Sequence, residues 1–329
     1  MPPFAPADRL VVLGAGATVG ADFGKRFKTS VRPPLNADFF TQLQRITGKH
    51  EKVVGDVIND VVGLFGPNFD LTLEDYFSQL EFLLEATNLV PTRQAAITRP
   101  QLRGNRDRLM KALAAVLEAS TDEPIRKHKG CIHHKHLVEC LGPRDTVLSF
   151  NYDCVFDDAL RRSGDGKWSA KYGYALPKPS RIVGYPAWDP PHPAATARDT
   201  IYLLKLHGSL NWQLPAVGDG EIKIKQRLHE QRGTPKFTIV PPAWNKSAKQ
   251  EPIFEDLWKK AERAIRYAKC LAVVGFSFTP TDLNVEALMP HKGVRSGVQM
   301  AEGKPVVALD PASLATRRGG SRSPERHRR

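Results

Sequence analysis

Asn151 and Asp153, two apart in Ser149-Phe-Asn-Tyr-Asp153, set an amide and a carboxylate side by side just past a short apolar run. If the strand persisted through them, both would point to one side; alternatively, Asp153 caps a following helix. His207, in Lys205-Leu-His-Gly-Ser209-Leu-Asn-Trp212, follows a second apolar run. Imidazole titrates near neutral pH and suits proton transfer. Gly14, Ala15 and Gly16, with Gly20, form a glycine turn after a third run, Leu10-Val-Val-Leu13. Such a turn lets backbone approach a phosphate at a helix N-terminus; it also reads as a plain tight turn. Val274-Gly-Phe-Ser-Phe-Thr-Pro-Thr-Asp282 is a fourth such place. Gly275 allows close approach there, and Ser277 and Asp282 offer groups for ribose hydroxyls or phosphate. Thr281 or Asp282 can equally start a helix at Leu283.

The segments that must carry these residues alternate in kind. Strand signals fall at Thr146–Phe150, Ile201–Leu206, Phe237–Val240, Leu271–Val274 and Pro305–Leu309, in addition to the opening run. Each is short and apolar throughout, as strands covered on both faces must be. An amphipathic helix is expected from Phe254, Leu257, Trp258, Ala261, Ile265 and Ala268. The expected fold is α/β: a Rossmann-like, mostly parallel sheet with helices on both faces. From Asp38 to Leu141 the pattern is helical, with a reciprocal cap at Thr72-Leu-Glu-Asp75, so 38–141 reads as a helical insertion subdomain. The core is then 1–37 and 142–316. Gly164–Thr200, rich in Gly, Pro and aromatics, reads as an irregular surface excursion. Residues 317–329 hold six arginines and one glutamate and read as a disordered basic tail.

The 329 residues carry a net charge of +13, which favours polyanions and nucleotide phosphates as partners. Contact of the tail with nucleic acid is one such expectation. No apolar stretch approaches the length of a membrane span, and no secretory leader is evident at the N-terminus. Four cysteines at irregular spacing do not form a disulfide framework, so a reducing cytoplasmic compartment is expected. Cys131, His133, His134, His136 and Cys140 are dense in ligand types but match no common zinc spacing, and no metal is expected. A dehydrogenase is disfavoured. The ribose-binding acid should lie on a second strand about 20 residues after the turn, where this chain has a Pro33-Pro34 break and a helix.

Taken in order, Gly14-Ala-Gly16 with Arg32-Pro-Pro-Leu35, Phe150-Asn-Tyr-Asp153, Lys205-Leu-His-Gly-Ser209 and Val274-Gly-Phe-Ser277 with Thr281-Asp282 resemble the blocks of the sirtuin-like family. Val240-Pro-Pro-Ala-Trp-Asn-Lys246 looks familial too. The resemblance runs from about residue 9 to about 311 and points to the bacterial stand-alone branch associated with antiphage defence. It implies NAD⁺ as substrate, bound across the strand ends, with cleavage of the nicotinamide–ribose bond. It places Asn151 and His207 at the catalytic positions and Asp153 where the nicotinamide carboxamide is held. The four-cysteine zinc module of the family's deacylases is missing, which favours water as acceptor; deacylation and a non-enzymatic NAD⁺ or ADP-ribose-binding subunit are the alternatives. The family also implies gating, by homo-oligomer assembly or by a separate subunit such as a nucleic-acid-handling ATPase or nuclease. Thr18 stands where Ser is usual, and Asp310 where Asn is commoner.

Overall fold

Apolar β-branched runs bounded by glycine or polar turns form the strands, and their pairing sets the architecture. A computed structural model describes residues 4–6, 9–23, 30–86, 97–127, 130–164, 166–178, 180–183, 199–214, 221–225, 238–243, 252–276 and 306–309. Ser277, Thr281, Asp282, Asp310, Trp244–Lys246 and the basic tail lie outside the described residues.

The main sheet is parallel throughout. It contains β1 (Arg9–Leu13), β2 (Thr146–Ser149), β4 (Tyr202–Lys205), β9 (Cys270–Val274) and β10 (Val306–Leu309), in the spatial order β10-β9-β1-β2-β4. Counting only these strands along the chain, the order is the one doubly wound sheets use, with its reversal between β1 and β9. Every residue of β2 and β4 is buried, so both faces of the sheet are covered there. Leu13, Ser149, Lys205 and Val274 stand opposite one another in register. The chain therefore leaves these four strands along a single edge.

Among the described residues between β1 and β2 the regular elements are all helices. After α1 (Ala15–Val19) come α2 (Phe39–Leu43), α3 (Glu51–Phe65), α4 (Leu73–Ala86), α5 (Arg99–Leu117), α6 (Glu123–Lys127) and α7 (Ile132–Glu139). The expected reciprocal cap precedes α4: the Asp75 amide donates to Thr72 Oγ1 at 3.1 Å, and the Thr72 amide to Asp75 Oδ2 at 2.9 Å. A second opens α5 at Thr98 and Gln101. A π-helical turn, Glu118–Asp122, joins α5 to α6. These helices and the sheet share one hydrophobic core, in which Phe39, Leu43, Tyr76, Phe77 and Leu113 belong to the same cluster as Val12, Leu148 and Leu204.

Two expectations are corrected. Gly164–Thr200 is not wholly an irregular surface excursion. It contains α9 (Ala170–Gly173) and β3 (Ser180–Val183), and Trp168 and Tyr174 are buried with their rings edge-on at 5.5 Å. Aromatic burial pulls this segment inward. The Phe237–Val240 run does not join the main sheet. Its two-residue strand β8 (Thr238–Ile239) pairs antiparallel with β5 (Gly208–Ser209), just beyond β4. A further small sheet takes β6 (Trp212–Gln213), β7 (Ile222–Lys225) and β3. Helices α8 (Val155–Ser163) and α10 (Pro252–Tyr267) follow β2 and precede β9, the latter covering the expected amphipathic stretch.

Candidate functional site

The common edge of the parallel strands gathers most of the residues singled out from the sequence. Gly14 follows β1, Asn151 and Asp153 follow β2, His207 follows β4 and Gly275 follows β9. Side chains beyond the C-terminal ends of such strands, at the reversal in strand order, line the usual ligand crevice of open α/β sheets.

Asn151, Asp153 and Thr18 form one hydrogen-bonded chain. Asn151 Nδ2 donates to the Gly14 carbonyl at 2.9 Å and to Thr18 Oγ1 at 3.1 Å. The Thr18 hydroxyl in turn donates to Asp153 Oδ2 at 2.8 Å. The other oxygen of Asp153 accepts the Val155 amide at 2.9 Å and so braces the first turn of α8. Strand β2 ends at Ser149, so Asn151 and Asp153 are linked through Thr18, while the second Asp153 oxygen serves the residue after the α8 N-cap, Cys154. The Asn151 amide nitrogen is engaged twice, and among the described residues no donor meets its carbonyl oxygen.

Alternate side chains of the same segment go elsewhere. Phe150 meets His207 edge-to-face at 5.1 Å, and Tyr152 lies nearly parallel to it at 6.3 Å. Trp258 of α10 completes the aromatic surround at 6.5 Å, and Phe276 packs on Phe150 at 4.6 Å. His207 is buried. The backbone is fixed around it as well: Val240 N donates to the His207 carbonyl at 3.0 Å, and Tyr152 Oη donates to the Val240 carbonyl at 2.8 Å. The two-residue β8 is thus a brace for the histidine loop. Gly208 is required there, because its φ is +78° and a Cβ would fall 2.1 Å from the Thr238 carbonyl oxygen. The buried indole N–H of Trp258 has no acceptor among the described residues. An orphaned donor beside an imidazole is what a site for a polar ligand leaves open.

The glycine turn has a structural explanation of its own. Gly14 N donates to the Val274 carbonyl and Gly16 N to the Gly275 carbonyl, at 3.0 and 2.9 Å. A Cβ on Gly14 would sit 2.4 Å from the Gly275 oxygen, and one on Gly275 would sit 2.0 Å from the Ala17 amide nitrogen. The ends of β1 and β9 cross so closely that only glycine fits at both. The amide of Ala17 is also taken, by the Gly14 carbonyl at 3.0 Å. Gly14, Gly16 and Ala17 thus have their amides occupied within the chain.

Sequence reasoning missed what lies beneath the site. Lys205 is completely buried, and its ammonium donates to the Asp153 carbonyl and pairs with Asp157 at 3.3 Å. The Tyr174 hydroxyl donates to the same Asp157. Burial pushes the Asp157 carboxyl up and by itself would pull Lys205 down, but the facing carboxylate raises the lysine above its ordinary value, so it stays charged. The pair ties the end of β4 to α8, and the bond to the Asp153 carbonyl ties it to the loop carrying Asn151 and Asp153. Its only trace in the sequence was a charged residue inside an apolar run.

The cysteine- and histidine-rich stretch around α7 divides between buried and exposed side chains. His134 Nδ1 lies 3.0 Å from Cys131 Sγ with both buried, while His133, His136 and Cys140 are exposed. Burial, with the His133 charge second, pushes His134 down to about 4. Among the described residues no three His, Cys, Asp or Glu side chains group as metal ligands, and no helix is long and apolar enough to cross a membrane. The chain matches no protein-family model and no curated protein in sequence comparison.

Proposed function

We propose that this chain is an NAD⁺ hydrolase that cleaves the nicotinamide–ribose bond to give nicotinamide and ADP-ribose. The observation that carries the reading is the convergence of the glycine turn, Asn151, Asp153 and His207 along one edge of a parallel sheet, around the reversal in strand order. On this reading the sheet is a Rossmann-like core and the helices of 38–141 are an insertion in it. The protein acts as an antiphage-defence effector in the cytoplasm, gated by homo-oligomer assembly or by a separate subunit.

The chemistry assigned to each residue follows from its surroundings. Nicotinamide leaves neutral with the bonding electron pair, so little acid catalysis is needed on that side. Water forms the new C–O bond at the ribose carbon, and its proton must be taken up. His207, held among aromatic rings, accepts that proton or one from a ribose hydroxyl. Asn151 offers its carbonyl oxygen to orient the water or hydroxyl. Asp153, whose carboxylate is held by Thr18, is the residue that receives the nicotinamide carboxamide. Trp258 and Phe150 give an apolar wall for the nicotinamide ring.

A second reading has an observation in its favour. Gly14, Gly16, Thr18, Asn151 and Asp153 all engage one another or β9, as a rigid binding module without turnover would require. Incubating the purified chain with NAD⁺ and separating the products separates the readings, with and without candidate activating subunits. Hydrolysis yields nicotinamide and ADP-ribose. Asn151→Ala and His207→Ala are each expected to slow it on the order of 100- to 10,000-fold with far-UV circular dichroism unchanged. Consumption only with an acyl-lysine peptide identifies a deacylase, and binding without consumption identifies the regulatory module.

A further inference from the structure

We infer that a second cavity, remote in sequence from the strand-end residues, binds a small phosphate monoester of nucleotide size. The cavity is half-open, holds about 470 Å³ and is walled by Ser30 and Val31, the link from α2 to α3, and the π-helical turn with α6. It shares no lining residue with the strand-end site, so the inference stands or falls independently of NAD⁺ hydrolysis.

The charge of the wall selects an anion. Three cations, Arg45, Lys49 and Lys127, face two carboxylates, Glu118 and Glu123, with the His50 ring beside them. Both carboxylates are already matched. Glu118, almost wholly buried, holds the Lys49 ammonium and lies 3.1 Å from His50 Nε2. Glu123 is within 3.9 Å of Arg126 and 3.8 Å of Lys127. Glu118 thus pins a lysine and a histidine at the wall, while the half-exposed Lys49 side chain keeps further N–H donors available. Arg45 is exposed and makes no ion pair among the described residues. A guanidinium fork flanked by ammonium groups matches a phosphate dianion.

Size and lining argue for an organic group on that phosphate. Ala119 and the edges of Val31 and Ile46, whose side chains are mostly buried in the core, supply a small apolar surface between the charges. The volume lies in the range of small-molecule sites and exceeds what a bare ion needs. The wall that carries Glu118 is the π-helical turn, an irregularity often retained at functional sites.

The test is calorimetric titration of the full chain with AMP, with adenosine and inorganic phosphate as controls. Saturable AMP binding is expected, at least tenfold tighter than either control. Arg45→Glu is expected to weaken it at least tenfold without shifting the melting temperature, because Arg45 is exposed. Lys127→Met is expected to weaken it less. Absence of saturable AMP binding would overturn the inference. So would unchanged affinity in Arg45→Glu, which would move AMP to another site, or adenosine binding as tightly as AMP.

Discussion

Lys205 is a charged side chain with no solvent exposure, held by one carboxylate and one carbonyl. Such a pair repays its desolvation only while both partners remain; removing one leaves an uncompensated buried charge. Lys205→Met is expected to destabilise the protein by about 3–5 kcal/mol. Adding Asp157→Asn should recover a large part of that loss, since the stranded carboxylate is gone. Urea unfolding of both variants measures this, and a loss below about 1 kcal/mol in the single variant would show that the pair does not organise the loop. The same residue explains why Asn151 and Asp153 stand where they do: Lys205 grips the Asp153 carbonyl from beneath while Thr18 grips its carboxylate from the side.

At the scale of elements, α7 carries a built-in acid sensitivity. His134 is buried against Cys131 and Phe156, and its folded value of about 4 lies below the ordinary imidazole value near 6.5. The sign follows: the unfolded chain binds the proton more readily, so this contribution is complete above about pH 6.5 and is lost as pH falls toward 4. A shift of that size is worth on the order of 3 kcal/mol. His134→Gln should therefore narrow its stability difference from the wild type by about that amount between pH 7 and pH 4, measured by denaturant unfolding. An unchanged difference would mean that the ring is charged in the folded state. The short elements serve the site in a different way. Strand β8 contributes little area to any sheet, yet it holds Gly208 and Ser209 by pairing, and Val240 just after it donates to the His207 carbonyl, so this segment is a strut for the residue most suited to move a proton.

For the molecule as a whole, the decisive fact is the continuity of the core. Side chains of α2, α4 and α5 join the same apolar cluster as β1, β2 and β4. Helices packed that way lack a separate core with which to fold alone. A single cooperative thermal transition is expected, with far-UV and near-UV signals melting together; a residue 38–141 fragment should remain largely unfolded by circular dichroism. Two resolved transitions would show that the insertion is an autonomous unit.

Much of this was legible in the residues themselves. Short apolar runs bounded by turn residues read as strands buried on both faces, and Thr72 with Asp75 announces a helix start, because these are local consequences of sterics and hydrogen-bond supply. The types of the site residues could be read in the same way. What no local pattern contains is distance across the fold. Register alone put Leu13, Ser149, Lys205 and Val274 in one row, and so brought Asn151 to Thr18 across 133 positions. The Glu118–Lys49 pair, 69 positions apart, was invisible for the same reason. Gly14 and Gly16 of the opening turn show the difference most clearly: their spacing suggested a phosphate cradle or a tight turn, and the packing adds a reason of its own, an approach to Gly275 too close for any Cβ.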